Sequence, residues 1–389
     1  SGCWGRLELN ELGIVLATGI DLEPDGEITV TIISIEPIGE VAGGAVQKSD
    51  AHIGMATGRS ISEAFEKHFM YSSRKFVWYQ NSVIIIGEEM AKKGLACCID
   101  FLARFPDIRY DNYVLITEGK AGNVLQIPSD VDKHLPAELN GLLENAKTSP
   151  RGHAVELKDI LVSLSDKDKA FMIGKLAHEK RKKISFSTYQ QEYIKIKPED
   201  SKPEFVYLEG CAVIKDKKMI RWLDGGETKE LKWITQKIKS TDVLIDEGEK
   251  GKFGVSITQR NCNIEIIENK DSITIVVKKR CFARIEELKS NLDIMKKYNK
   301  EILEELISKE IIKQMESIVK KAQNDLKADI FGFGDVIFKK KPSLWRVIED
   351  DWDKVFPRVR VLFDIDVIVE RTGEVYANTF SGSDNNHEK

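Results

Sequence analysis

Six apolar residues near the end of the chain, Val359, Val361, Phe363, Ile365, Val367 and Val369, occupy every second position. Successive side chains of a strand point to opposite faces, so this run predicts a strand buried on one face only. Upstream, Leu303, Ile307, Ile311, Met315, Ile318, Ala322 and Leu326 keep three- and four-residue spacing, which predicts a helix over 300–326 with a single apolar stripe. At 1.5 Å per residue that helix is about 40 Å long, enough to cross a whole sheet. Ile264–Ile267 and Ile273–Ile285 read as antiparallel strands around a turn at Asn269-Lys270-Asp271. Together these segments predict a C-terminal α+β domain, an antiparallel sheet covered by one long helix.

The amino-terminal part alternates more often. Gly13–Ile20 and Glu27–Ile35 are β-like around a turn at Pro24-Asp25-Gly26, and Val41–Ala56 is glycine-rich and reads as loop with short extended pieces. Ser60 with Glu63 three residues later forms a capping box that starts a helix. Val77–Ile86 reads as a buried strand, Glu88–Phe105 as a helix broken at Gly94, and Tyr113–Thr117 as another strand. Residues 151–239 are more polar, with a helical signal over Leu157–Leu164, a basic stretch, and strands at Phe205–Lys215 and Lys218–Leu223. A chain of 389 residues exceeds one ordinary core. The expected organisation is mixed α/β, an α+β fold in three domains: 3–150, a smaller middle domain over 151–239, and 240–377. A polar, disordered tail is expected over 378–389.

Composition and motifs narrow the function. Lys plus Arg is 59 against 63 for Asp plus Glu, a net charge of −4, which argues against a protein that coats nucleic acid. No stretch approaches the ~20 apolar residues of a membrane-spanning helix. The six cysteines lack metal-site spacing, and Cys97, Cys98, Cys211, Cys262 and Cys281 read as small buried hydrophobes. No nucleophile elbow, phosphate loop or paired zinc histidines occur, so no catalytic residue, metal or cofactor is expected. Gly332-Phe333-Gly334 follows a helix rather than a strand and reads as a tight turn. Two basic runs stand out: Lys175, Lys180, Arg181, Lys182, Lys183, Lys195 and Lys197, and then Lys339, Lys340 and Lys341. They read as solvated faces, or, for the first, as a surface for lipid headgroups or an acidic partner.

The chain opens Ser1-Gly2-Cys3-Trp4. Small residues before a cysteine are what a bacterial lipoprotein cleavage site leaves, although the same residues suit an ordinary cysteine behind two extraneous ones. No charged or apolar leader precedes them, so a signal peptide is absent or removed. Further segments follow in order: Gly19-Ile20-Asp21; Gly58-Arg59-Ser60-Ile61 with Glu63-Ala64-Phe65; Ile85-Ile86-Gly87-Glu88-Glu89 with Ala91, Gly94, Asp100-Phe101-Leu102 and Arg104; Gly210-Cys211-Ala212-Val213-Ile214-Lys215 with Trp222-Leu223; Asp329-Ile330-Phe331-Gly332-Phe333-Gly334; then Trp352, Phe356 and the closing strand up to Gly373. In this order the chain resembles the Ger(x)C lipoproteins, the C subunits of spore germinant receptors.

The resemblance implies a lipid attached at Cys3, three domains that are each a sheet with helices, and assembly with membrane-embedded A and B subunits that sense small nutrients. It places such a protein on the outer face of the spore inner membrane, as a non-enzymatic scaffold. Gly87 and Gly94 read as backbone requirements of the fold, while the polar Arg59, Glu88 and Arg104 are candidate partner contacts. Two other functions stay open: a module that binds the germinant itself, and an extracytoplasmic hydrolase.

Overall fold

The computed structural model describes residues 11–37, 51–129, 132–165, 170–180, 204–235, 240–246, 251–269, 272–290 and 297–370. They divide between two compact units, 1–228 and 229–389. Cys3, Arg181 to Lys183, Lys195, Lys197, the turn residues Lys270 and Asp271, Gly373 and the tail from Asn378 lie outside the described residues.

The first unit is one ten-stranded sheet with helices on both faces. Its strands are β1 (Leu12–Leu22), β2 (Ile28–Ile35), β3 (Ala51–Gly58), β4 (Lys75–Val77), β5 (Val83–Gly87), β6 (Tyr113–Thr117), β7 (Val155–Glu156), β8 (Phe171–Lys180), β9 (Glu204–Lys215) and β10 (Lys218–Leu223). The order is β10-β9-β8-β6-β5-β1-β2-β3, with β4 beside β1 and β7 beside β6. The central strands β8, β6, β5 and β1 run parallel, and antiparallel hairpins extend both flanks.

Helices α1 (Ile61–Tyr71), α2 (Glu88–Lys93), α3 (Ala96–Arg104), α4 (Ala121–Leu125), α5 (Leu135–Thr148) and α6 (Leu157–Ser165) complete the unit. Ile84 and Ile86 of β5 face a core shared with Phe65, Ile99 and Ile160, whereas Val83 and Ile85 face a second core with Leu125, Leu139 and Leu143. A strand covered on both faces has no polar face to alternate with, which is why β5 is apolar throughout.

Local signals explain the joints. The Ser60 hydroxyl accepts the Glu63 N–H at 3.1 Å, and the Glu63 carboxylate accepts the N–H of Arg59 at 3.0 Å rather than that of Ser60. Gly94 breaks the 88–104 helical region at φ 149°, a conformation closed to most side chains, and Leu95 then donates to the Lys217 carbonyl at 2.8 Å. The strand expected over 77–86 is two strands. A turn at Trp78–Ser82 separates them, held by Asn81, which accepts from Thr18 at 2.8 Å and donates to Asn112 at 2.5 Å. Residues 51–56, expected as part of a loop with short extended pieces, belong to the edge strand β3, and residues 41–50 of that stretch lie outside the described residues.

The organisation differs from the expected division at 150 and 239. Strand β8 pairs parallel with β6, and β9 and β10 extend the same sheet, so the polar stretch after 150 joins strands of one layer instead of opening a new core.

The second unit holds the sheet β11-β12-β13-β14, formed by β11 (Ser240–Asp246), β12 (Gly251–Asn269), β13 (Ser272–Ser290) and β14 (Arg360–Val369). The two strands expected around residue 270 are 19 residues each. Helix α7 (Lys297–Lys320), extended by a π-helical turn over Lys321–Leu326, buries every member of the predicted stripe. It sits on β14: Ser308 donates to the Ile365 carbonyl at 3.0 Å, and Glu304 accepts the Val369 N–H at 2.9 Å. β14 pairs parallel with β13, so the sheet is mixed rather than antiparallel. Alternation determines which face a strand buries but not its direction, and a helix crossing the sheet returns the chain to its starting edge. Beyond α7, Gly332 at φ 72° opens the helix α8 (Phe333–Lys340), the tight turn expected there. Asp329 accepts from the N–H groups of Gly334 (2.7 Å) and Phe331 (3.1 Å) and from the Trp352 indole (3.1 Å). Lys340 of the second basic run donates to Asn263 and to the Ile264 carbonyl.

Of the five cysteines read as core, Cys98, Cys211 and Cys281 are buried, Cys262 is half-buried and Cys97 is exposed.

Candidate functional site at the carboxyl edge of the parallel strands

Parallel strands deliver their following loops to one edge of the sheet, the usual place for polar function in such layers. Here Asp21 is the penultimate residue of β1, Gly87 closes β5 and Glu88 follows it, and Glu118, Gly119 and Lys120 follow β6. Asp21 is only 2 % exposed. Its two oxygens accept the Ala121 and Gly122 N–H groups, at 2.7 and 2.8 Å, in the first turn of α4. Burial pushes this carboxyl above its ordinary value, and the two N–H donors and the charge of Lys120 offset part of that rise. The backbone makes room for the carboxylate: a Cβ on Gly87 would stand 2.1 Å from Asp21 Oδ1, and one on Gly122 would stand 3.3 Å from Oδ2.

Glu88 joins three elements. Its N–H donates to the Gly119 carbonyl at 2.9 Å. Its carboxylate accepts from the Gly119 N–H (3.3 Å), Lys92 (3.0 Å) and the Trp222 indole of β10 (3.1 Å). Partial burial raises this carboxyl, yet Lys92, Trp222 and Gly119 together outweigh it and hold Glu88 below its ordinary value. Lys175 of β8 pairs with Glu118 at 2.5 Å and lies 5.0 Å from the centre of the Trp222 ring, a cation–π contact. On the other side, Glu23 accepts from Lys120 (2.6 Å) and Thr29 (2.8 Å), and the Lys120 bond leads in holding it low.

Two open clefts flank this network. One of about 420 Å³ is lined by Glu88, Lys92 and Met219 to Trp222. The other, about 570 Å³, is lined by Glu23, Asp25, Glu27, Thr29, Met55 and Thr57. Of the carboxylates that line them, Glu23, Asp25 and Glu88 are engaged by cations and N–H groups of the same chain. Exposed pairs of this kind contribute only about 0.2–1 kcal/mol each, so their effect is to orient side chains rather than to stabilise the fold. Among the described residues no group of three or more His, Cys, Asp or Glu side chains is placed to hold a metal ion.

The expected contact residues separate. Arg59 precedes the cap of α1 and Glu88 begins α2 at the carboxyl edge, while Arg104 ends α3 at the opposite, amino edge. Arg59 pairs with Glu63 (3.3 Å) and Arg104 with Asp100 (2.9 Å), each within four residues of its own position, and both arginines are exposed. Glu88 is the member built into a long-range network. Asp21, the most buried acid of the edge, enters the sequence reading only as part of Gly19-Ile20-Asp21 and not as a candidate contact. The available signal was a carboxylate closing a β-branched strand, with an Ala-Gly pair at a later helix start.

Comparison with known proteins bears on this arrangement. The family profile described as "Spore germination protein N-terminal domain" matches residues 5–177, and "Spore germination B3/ GerAC like, C-terminal" matches residues 209–373. The chain belongs to the germinant receptor C-subunit family. Spore germination protein KC of Bacillus subtilis (strain 168) is 26% identical over 389 residues, covering 96% of this chain and 92% of that protein. Spore germination proteins B3 and A3 of the same organism are 20% and 21% identical and also align over nearly their full lengths. The crystal structure of the GerBC protein superposes with a TM-score of 0.56 at 15% identity, covering 91% of this chain and 97% of that one, and so shares the fold. Among the described residues of this family member, no helix is long and apolar enough to cross a membrane.

Proposed function

We propose that this chain is the lipid-anchored, non-enzymatic interaction subunit of a spore germinant receptor. Acylated Cys3 holds it to the outer face of the spore inner membrane, and its rigid surfaces dock the membrane-embedded A and B subunits. The observation that carries the proposal is the pair of family profiles spanning residues 5–373 with one short gap, joined by relatives that align end to end and are named for spore germination. The carboxyl edge agrees with it. Glu88, Trp222 and Lys175 tie β5, β10 and β8 into one fixed surface, and a docking face benefits from groups already held in place. Arg59 and Glu88 lie on that edge, and Arg104 offers a contact at the other.

Cys3→Ala tests the anchor. In spores, the variant should leave the membrane fraction and lose most of the nutrient response, while its urea unfolding matches that of the parent chain. A variant that stays in the membrane and germinates normally would rule the anchor out.

A further inference from the structure

The amino edge of the parallel strands has a different character from the carboxyl edge. Strands β1, β5 and β6 begin there, and α1 ends there. The last turn of α1 leaves Phe69 41%, Met70 73% and Tyr71 69% exposed, and the turns before β5 and β6 leave Tyr79 41% and Tyr110 53% exposed. These side chains stand on a firm base. Phe69 lies 5.8 Å from the buried Trp78 ring, which stacks on Phe65 at 5.0 Å and meets Phe105 at 5.4 Å. The Tyr110 hydroxyl donates to the Ala103 carbonyl at 3.2 Å.

Two placements indicate what covers this patch. Leu12, the first residue of β1, is paired with the exposed Lys75, and Lys75 follows Tyr71 by four residues. The chain therefore reaches the fold beside these aromatic residues. Leu12 follows Cys3 by nine positions, a tether of at most about 30 Å even when fully extended. Tyrosine suits an interface that is apolar on one side and wet on the other, and a lysine beside it suits anionic headgroups.

We propose that the amino edge rests on the bilayer, with Met70 and Tyr71 entering the boundary between headgroups and acyl chains and Lys75 meeting anionic lipid. The orientation rests on the reading of Cys3 as the acylated residue. It provides a second membrane contact beside the lipid.

The test uses the full chain carrying Cys3→Ser, so that no acyl group contributes. Sedimentation with vesicles of phosphatidylcholine and phosphatidylglycerol should show binding. Replacing Met70 and Tyr71 together with serine should weaken it at least about tenfold, the change expected from losing ~1.4 kcal/mol of apolar burial. Lys75→Gln should weaken it only with the anionic vesicles. Val347→Ser, at an apolar position that is 80% exposed in the other unit, should leave it unchanged. The inference is overturned if the parent chain ignores vesicles, if the double variant binds like the parent, or if Val347→Ser is equally harmful. A double variant that keeps vesicle binding but no longer co-purifies with receptor subunits would assign the patch to a protein partner instead. The mass of the native amino-terminal peptide decides acylation separately. Vesicle binding with an unacylated native terminus would keep the patch and remove the anchor, and the reverse pair of results would keep only the anchor.

Discussion

Replacing Gly87 with alanine places a methyl group where Asp21 holds its carboxylate. The backbone at Gly87, φ −68° and ψ 150°, accepts any residue, so the cost is steric and not conformational. A Cβ there falls 2.1 Å from Asp21 Oδ1 and 3.1 Å from the Gly119 carbonyl oxygen. The carboxylate has to move, and it gives up the Ala121 and Gly122 N–H groups, at 2.7 and 2.8 Å, to do so. Hydrogen bonds to a charged acceptor contribute about 1.5–3 kcal/mol each. Burial already penalises the Asp21 charge, so the lower part of the range applies, and Gly87→Ala should cost about 3 kcal/mol. Asp21→Ala leaves the same two donors without an acceptor and should cost about as much. In the double variant the new methyl group enters space that Asp21 has vacated. The pair should therefore cost roughly what Asp21→Ala costs alone, a coupling of about 3 kcal/mol between the two positions. Urea unfolding followed by tryptophan emission measures all three. Costs that add, or a Gly87→Ala loss below about 1 kcal/mol, would refute the steric argument.

Two further outcomes are expected. Burial holds His68 below its ordinary value of 6.5, and its Nε2 bonds the Val30 carbonyl at 3.1 Å as a neutral donor. The unfolded chain takes up this proton before the folded one does, so the stability present above pH 6.5 is lost as the pH falls from there toward the folded value. Urea midpoints across that window should fall less steeply in His68→Leu, and identical slopes would count against the assignment. Asp329→Asn keeps one acceptor oxygen where three donors converge, so at least one of Gly334, Phe331 and Trp352 loses its partner. The expected loss is about 1.5–3 kcal/mol with a changed near-ultraviolet signal from Trp352, and an unaltered unfolding curve would contradict it.

What could be read in the residues depended on how local the cause was. The stripe from Leu303 to Leu326, the period of two from Val361 to Val369, the Ser60 cap and the Gly94 break each arise within one or two turns of chain, and each is present in the structure. Strand direction was not legible in the same way. Val361 to Val369 have the same pattern whether β14 runs with β13 or against it, and only the crossing of α7 decides. The domain boundary was misleading for a similar reason. Polar residues after 150 mark connections, and no local feature shows that β8 returns to lie beside β6. The site was half legible. Glu88 stands out because it follows an apolar strand and a glycine, whereas Asp21 meets its partners across about 100 residues of chain, a separation that no local pattern records.

The sheet that opens at Leu12 is completed only by the hairpin of residues 204–223. A piece of the protein cut where the amino-terminal family profile stops, at residue 177, would carry β8 with one whole flank unpaired. An open ladder of that kind readily recruits strands from another copy. A self-sufficient fragment therefore has to run past Leu223. During synthesis from the amino end, the parallel centre must likewise wait with its edge bare until more than half of the polypeptide has emerged. That interval is when the chain is most exposed to misassembly and when a chaperone has most to offer it.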